Sequence, residues 1–332
     1  MPAEEKMRLV IIITLIYIFS SSLRAEKLTI YTYDSFISEW GPGPIVEKIF
    51  EDKYEIDLQF IAVDSAATLL NKIILEGENT KADLVLGLDM NLFNAAEKSE
   101  LFVSHNLKNI NNKLTLPLNW ESDIFVPYNY GYFAFVYNNK TLKNPPLSME
   151  DLINKTDARI VIQDPRTSTP GLGLITWMKA LYGDSAQNKW SQLNKKIIAV
   201  TKGWTDAYYN FFMAGEADIV LSYSTSPAAH IMFEENYDIS ASTFKEGNYI
   251  SVEFAGILNS SKNKQMANKF LDFMISDDFQ KVIPGTNIMY PVTDIEMPEA
   301  FNKLEIPKLL QLDPKDINDN KDAWINEWLN AS

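Results

Sequence analysis

The chain has 332 residues, 46% of them hydrophobic, enough for a real core and a length that suits two lobes better than one. Its formal net charge of −14 disfavours nucleic acid and anionic membrane surfaces and mildly favours a cationic solute. There is no cysteine, and the two histidines, His105 and His230, lie far apart, which excludes disulfides, thiolate nucleophiles, a lipidated N-terminal cysteine and zinc-type ligand spacing.

At the N-terminus, Lys6 and Arg8 precede a mostly apolar run from Leu9 to Phe19, and Ser20-Ser21-Ser22-Leu23-Arg24-Ala25 closes it on a small residue. This is the layout of a cleaved export signal over residues 1–25, too short for the ~20 residues that span a bilayer. Nothing later is long and apolar enough to span, so the expected product is exported and free.

From there, short β-branched runs alternate with helix-period segments, the pattern of an α/β fold. A strand is predicted over 28–33, then an irregular Trp40-Gly41-Pro42-Gly43 stretch and a helix from about Pro44 carrying Ile45, Val46, Ile49 and Phe50. A strand over 56–63 leads to Ser65, placed to cap a helix with Leu69, Leu70, Ile73 and Ile74, and a buried strand over 82–88 ends at Asp89. Two extended runs, 125–138 and 249–258, read as strands crossing between lobes. Lobe one is then 26–126 with 259–332, and lobe two is 127–258 including both crossing strands. The tail, with Trp324 and Trp328 at i, i+4, is expected to pack on lobe one.

Four strand-to-helix junctions gather polar and aromatic residues, and ligands of open α/β sheets lie at such carboxyl ends. The first is Tyr31-Thr32-Tyr33-Asp34-Ser35-Phe36 leading to Trp40, where alternation places Tyr31 and Tyr33 on one face. The second is 164–173, where Ser168 or Thr169 caps a helix opened by Pro170; its free N–H groups suit an anion. That helix runs through Trp177 to a stop at Gly183. The third sets the indole of Trp204 after a strand and before a capped helix, a face suited to a flat cation. The fourth, Ser222-Tyr223-Ser224-Thr225, offers more hydroxyls than a cap needs, with Ser226 as cap and Pro227 opening the next helix. Together they suit a flat, partly cationic molecule with a polar or phosphorylated tail.

Long stretches of this chain resemble the periplasmic thiamine-binding proteins of bacterial ABC importers. These include Tyr31 to Phe36, Trp40-Gly41-Pro42-Gly43-Pro44, Lys81 to Asp89, Tyr130 to Tyr137, Gln163 to Leu174 and Thr201-Lys202-Gly203-Trp204. The resemblance implies a two-lobed class II solute-binding fold hinged on two crossing strands, with no cofactor and no catalysis. It implies a monomer in the periplasm that closes on thiamine, its monophosphate or its diphosphate and serves a membrane permease with its ATPase. By resemblance Ser168 and Thr169 stand at the phosphorylated tail, Trp204, Tyr223, Tyr33 and Trp40 supply aromatic contacts, and Ser222 to Thr225, including Ser224, form the contact segment. The family has Asp-Gly before its Leu-Leu-Asn helix segment. Aligning on Leu69-Leu70-Asn71 puts Ser65 and Ala66 there, with Asp64 one residue earlier. Backbone contacts to the aminopyrimidine survive this change, while a carboxylate contact passes to Asp64 or is lost.

Three other readings compete. A polyamine would suit the acidic body, and Tyr208-Tyr209 suggests ferric iron, although adjacent helical tyrosines diverge by about 100°, one packed and one exposed. A thiaminase-like transferase shares the implied fold but needs a cysteine nucleophile, which this chain lacks.

Overall fold

The computed structural model describes residues 26–155 and 157–331; the export signal over 1–25 lies outside the described residues. The first half alternates strand and helix: β1 (Glu26–Tyr33), α1 (Gly43–Tyr54), β2 (Ile56–Val63), α2 (Ala66–Glu76) and β3 (Leu84–Asp89). Parallel neighbours require a crossover, and the two helices supply it: β1 pairs in parallel with β2 on one side and β3 on the other. α2 starts where the sequence places it, because Ser65 Oγ accepts the Thr68 N–H at 3.2 Å. β3, apolar up to its final residue Asp89, is buried along its whole length, as a strand covered on both faces must be.

β4 (Phe125–Asn138) is long enough to serve two sheets. The other half is β5 (Ile160–Gln163), α3 (Thr169–Tyr182), β6 (Ile197–Thr201), β7 (Ile219–Tyr223) and α4 (Ser226–Glu234), after which β8 (Asn248–Leu258) returns. Residues 125–132 of β4 run antiparallel to β8, while 133–137 run antiparallel to β7. β7 and β6 flank β5 in parallel. The strand order is therefore β2-β1-β3-β8-β4-β7-β5-β6, with the two long strands at its centre. α3 ends at Gly183, whose φ of +52° a side chain would resist.

α5 (Lys264–Met274) packs on the first half through Phe270, Phe273 and Met274. The last helix, α6 (Pro314–Asn330), differs from expectation. It does not sit on lobe one alone: Lys98 of the first half bonds Asp319 at 3.2 Å, and Lys179 of α3 bonds Glu327 at 2.6 Å. The reason is the buried Lys179 ammonium, which needs a carboxylate partner and finds it on this helix. No helix among the described residues is long and apolar enough to cross a membrane.

Candidate functional site

The carboxyl ends of β1, β2 and β3 face those of β5, β6 and β7 across a cleft of about 580 Å³. Much of each wall is made by residues at or just after a strand end.

On the first wall Tyr33, the last residue of β1, reaches the cleft, whereas Tyr31 is buried in the core under Lys72. The Tyr33 ring lies against Gly87, where an added Cβ would stand 2.4 Å from the ring. Its hydroxyl donates to Glu253 Oε2 at 2.9 Å and lies 3.2 Å from the Tyr128 hydroxyl. Trp40 stands at the mouth, 54% exposed. Ser65 and Ala66 line the floor at the start of α2, with the Ser65 hydroxyl already engaged as the cap. Asp64, just before them, reaches across to pair with Lys202 of the other half.

On the second wall Ser168 occupies the capping position of α3, but its side chain makes no capping bond. Thr169 does not cap either. Its hydroxyl donates across the cleft to Asp89 Oδ2 at 2.8 Å, a carboxylate buried at the end of β3 that also accepts the Asn91 N–H. The first-turn amides of α3 are thus left for a ligand. Gly171 lets this turn press on β5: an added Cβ would stand 2.5 Å from the Gln163 carbonyl oxygen.

Trp204 is held from behind. Its Nε1–H donates to Ser222 Oγ at 2.7 Å, and its ring stacks on Tyr208 with centroids 4.7 Å apart. Tyr208 is buried and bonded to His230 Nε2 at 2.9 Å, whose Nδ1 meets Glu234 at 2.9 Å. Tyr209 is half exposed, so the two tyrosines diverge as expected. The segment they occupy, Asp206–Met213, is π-helical and carries no side-chain cap, not the capped α-helix expected there. Its wider turn is a form that recurs at functional sites.

The fourth junction splits in two. Tyr223 and Thr225 line the cleft. Ser222 is buried behind it, since strand alternation turns it away from the face that Tyr223 takes, and Ser224, in the turn just after β7, is buried as well. Ser226 does not cap α4; it is the helix's first residue and bonds Ser222 Oγ at 2.8 Å. The hydroxyl ladder therefore fixes Trp204.

Several wall residues escape the junction-based reading, above all Glu253 in the middle of β8. Its signal is a lone charge inside the apolar run 249–258. Burial pushes the Glu253 carboxyl above its usual range, with donated bonds from Tyr128, Asn129 and Tyr33 pulling back. Burial also raises Asp89, partly offset by Thr169, and drives the Tyr223 phenol well up, reinforced by the nearby Glu253 and Asp89. Asp34, Asp64, Asp206, Glu234 and Glu253 all line the cleft, against Lys202 and His230, and Lys202 is already paired. Aromatic faces on an acidic lining suit a flat cation.

The chain matches the family described as bacterial extracellular solute-binding protein over residues 79–319. It is 47% identical over 306 residues to the thiamine-binding periplasmic protein of Escherichia coli K12, covering 92% of this chain and 93% of that one. A solved periplasmic thiamin binding protein superposes with a TM-score of 0.90 at 47% identity, covering 94% of this chain and 98% of the other. A periplasmic binding protein from Actinobacillus pleuropneumoniae, solved with fructose-6-phosphate, shares the fold at TM-score 0.78 and 22% identity, covering 92% and 98%.

Proposed function

The chain belongs to the thiamine-binding periplasmic proteins, the solute-binding components of bacterial ABC importers, and from that premise we propose that its cleft captures thiamine and its phosphate esters. It is a periplasmic binding protein and not an enzyme. In this reading the closed lobes present the bound vitamin to a membrane permease with its ATPase. Both walls come from one chain, so a monomer carries one complete site.

The observation that carries the reading is a fixed indole face, Trp204, set in the same cleft as five carboxylates. The thiazolium would lie against the indole, and a cation over such a face gains about 0.5–2 kcal/mol. Hydrogen bonds of about 1 kcal/mol each, formed as closure excludes water, supply the rest. Ser168 and Thr169, with the free amides of α3, would receive a phosphate tail.

Calorimetry with thiamine, its mono- and diphosphate, spermidine and ferric iron tests this. The expected outcome is 1:1 saturable binding of the three thiamine forms; preference for spermidine or iron would refute it. Replacing Ser168 and Thr169 together by alanine is expected to weaken the two esters about tenfold while changing free thiamine by less than about threefold. Equal losses for all three ligands would remove the pair from the phosphate end.

A further inference from the structure

β8 is buried at every position but one. Only Glu253 is partly exposed along Asn248–Leu258, and it lines the cleft. The cause is a bulge: the register of β8 against β4 slips between Glu253 and Phe254, and against β3 between Phe254 and Ala255. Bulges re-aim side chains next to binding sites. Here the bulge sets Glu253 opposite two buried polar residues, Asn129 of β4 and Asp89 of β3.

The carboxylate is held on one side only. Tyr128 O–H donates to Oε2 at 2.6 Å, Asn129 Nδ2–H at 2.7 Å and Tyr33 O–H at 2.9 Å. Oε1 accepts no bond from the described residues. The titratable groups facing Glu253 are Tyr33 and Tyr128, both neutral phenols held well above their usual range, Tyr223, whose phenol Glu253 helps to raise, and Asp89, another acid. None of them is a cation. A carboxylate so placed, with three donors fixing one oxygen and no positive neighbour among them, is oriented to meet charge brought by a ligand.

Resting on the thiamine reading, we propose that Glu253 is the specificity residue for the ligand's positive charge: its Oε1 pairs the thiazolium and makes the cleft prefer a cation over an uncharged molecule of the same shape. Binding then requires the ionised carboxylate. Because the free protein holds this acid above its ordinary range, protonation competes with the ligand. Affinity for the cation is full above that raised pKa and falls as pH drops through it.

The test uses the full mature protein, its Glu253→Gln variant, thiamine, and a thiamine isostere whose thiazolium is replaced by an uncharged thiophene. The two ligands share the aminopyrimidine, whose protonation is titrated in each free ligand and divided out of their affinity ratio, because the thiazolium charge makes the ring less basic in thiamine. The side-chain amide of the Glu253→Gln variant still offers an oxygen to the three donors, and the melting temperature checks the fold. Wild type is expected to prefer thiamine to the isostere, increasingly so as pH rises from about 4.5 to about 7.5. Glu253→Gln is expected to bind thiamine about tenfold more weakly, to bind the isostere within about twofold of wild type, and to lose the pH dependence of the ratio. Equal losses for both ligands, or an unchanged pH dependence, would overturn the proposal while leaving thiamine binding intact. Wild-type protein that binds no thiamine would overturn both. Should the variant fail to fold, the wild-type ratio against pH decides alone, and a flat ratio refutes the role.

Discussion

Trp204→Ala is expected to weaken thiamine binding by about 2 kcal/mol, roughly thirtyfold, with little change in melting temperature. The indole face disappears, at about 1–2 kcal/mol for a cation in a partly desolvated cleft. The Ser222 hydroxyl loses the Nε1–H donor that it accepts at 2.7 Å but keeps Ser226, and because that loss falls on free and bound protein alike it bears on stability and not on affinity. Stability changes less, because Trp204 is partly exposed and its stacking partner Tyr208 keeps its bond to His230. Trp204→Phe should recover part of the affinity, since the aromatic face returns without the donor. Calorimetry on the three proteins decides: unchanged affinity in Trp204→Ala would take the indole out of the site, and equal affinities of the Phe and Ala variants would take away the role of its face.

The second large effect is on stability. Gly173→Ala is expected to destabilise the fold by about 3 kcal/mol, lowering the melting temperature by about 6 °C. Helix propensity alone argues the other way, since alanine in a helix is favoured over glycine by about 1 kcal/mol. The clash wins. An added Cβ at Gly173 would stand 2.1 Å from the Phe133 ring, and Phe133 is fully buried on β4 against Tyr223 at 5.3 Å. The ring has nowhere to go without shifting the strand that joins both halves. Gly203→Ala is the control: nothing lies within 4 Å of its added Cβ, and a thermal melt should match wild type. A Gly173→Ala melt at or above wild type would show that Phe133 relaxes.

Much of the fold was legible because its signals are local. The aromatic run 125–138 marks the long strand, Ser65 announces α2, and Gly183 ends α3. The cleft lining was legible where a residue ends or follows a strand, as Tyr33, Thr169 and Trp204 do. What stayed hidden depends on pairing in three dimensions. The alternation that links Tyr31 to Tyr33 also separates Tyr223 from Ser222, but the fate of the Ser222 hydroxyl rests on Trp204, 18 residues away. Glu253 lies away from every strand-to-helix junction, and a bulge at mid-strand has no local sequence mark beyond the charge itself. The tail helix could not be assigned from its Trp pair, since the partner that draws it to α3 is a lysine 148 residues earlier.

The antiparallel pairing of β4 with β8 has a mechanical consequence. These two strands form a ribbon shared by both halves, so parting the lobes means twisting that ribbon, and displacement during such a rotation grows with distance from its axis. Glu253 is part of the ribbon and Asp89 is its register partner on β3, whereas the Asp64–Lys202 pair joins the two halves outside the ribbon's own pairing. A twist of the ribbon therefore strains that outer pair more than the carboxylates beside the pivot.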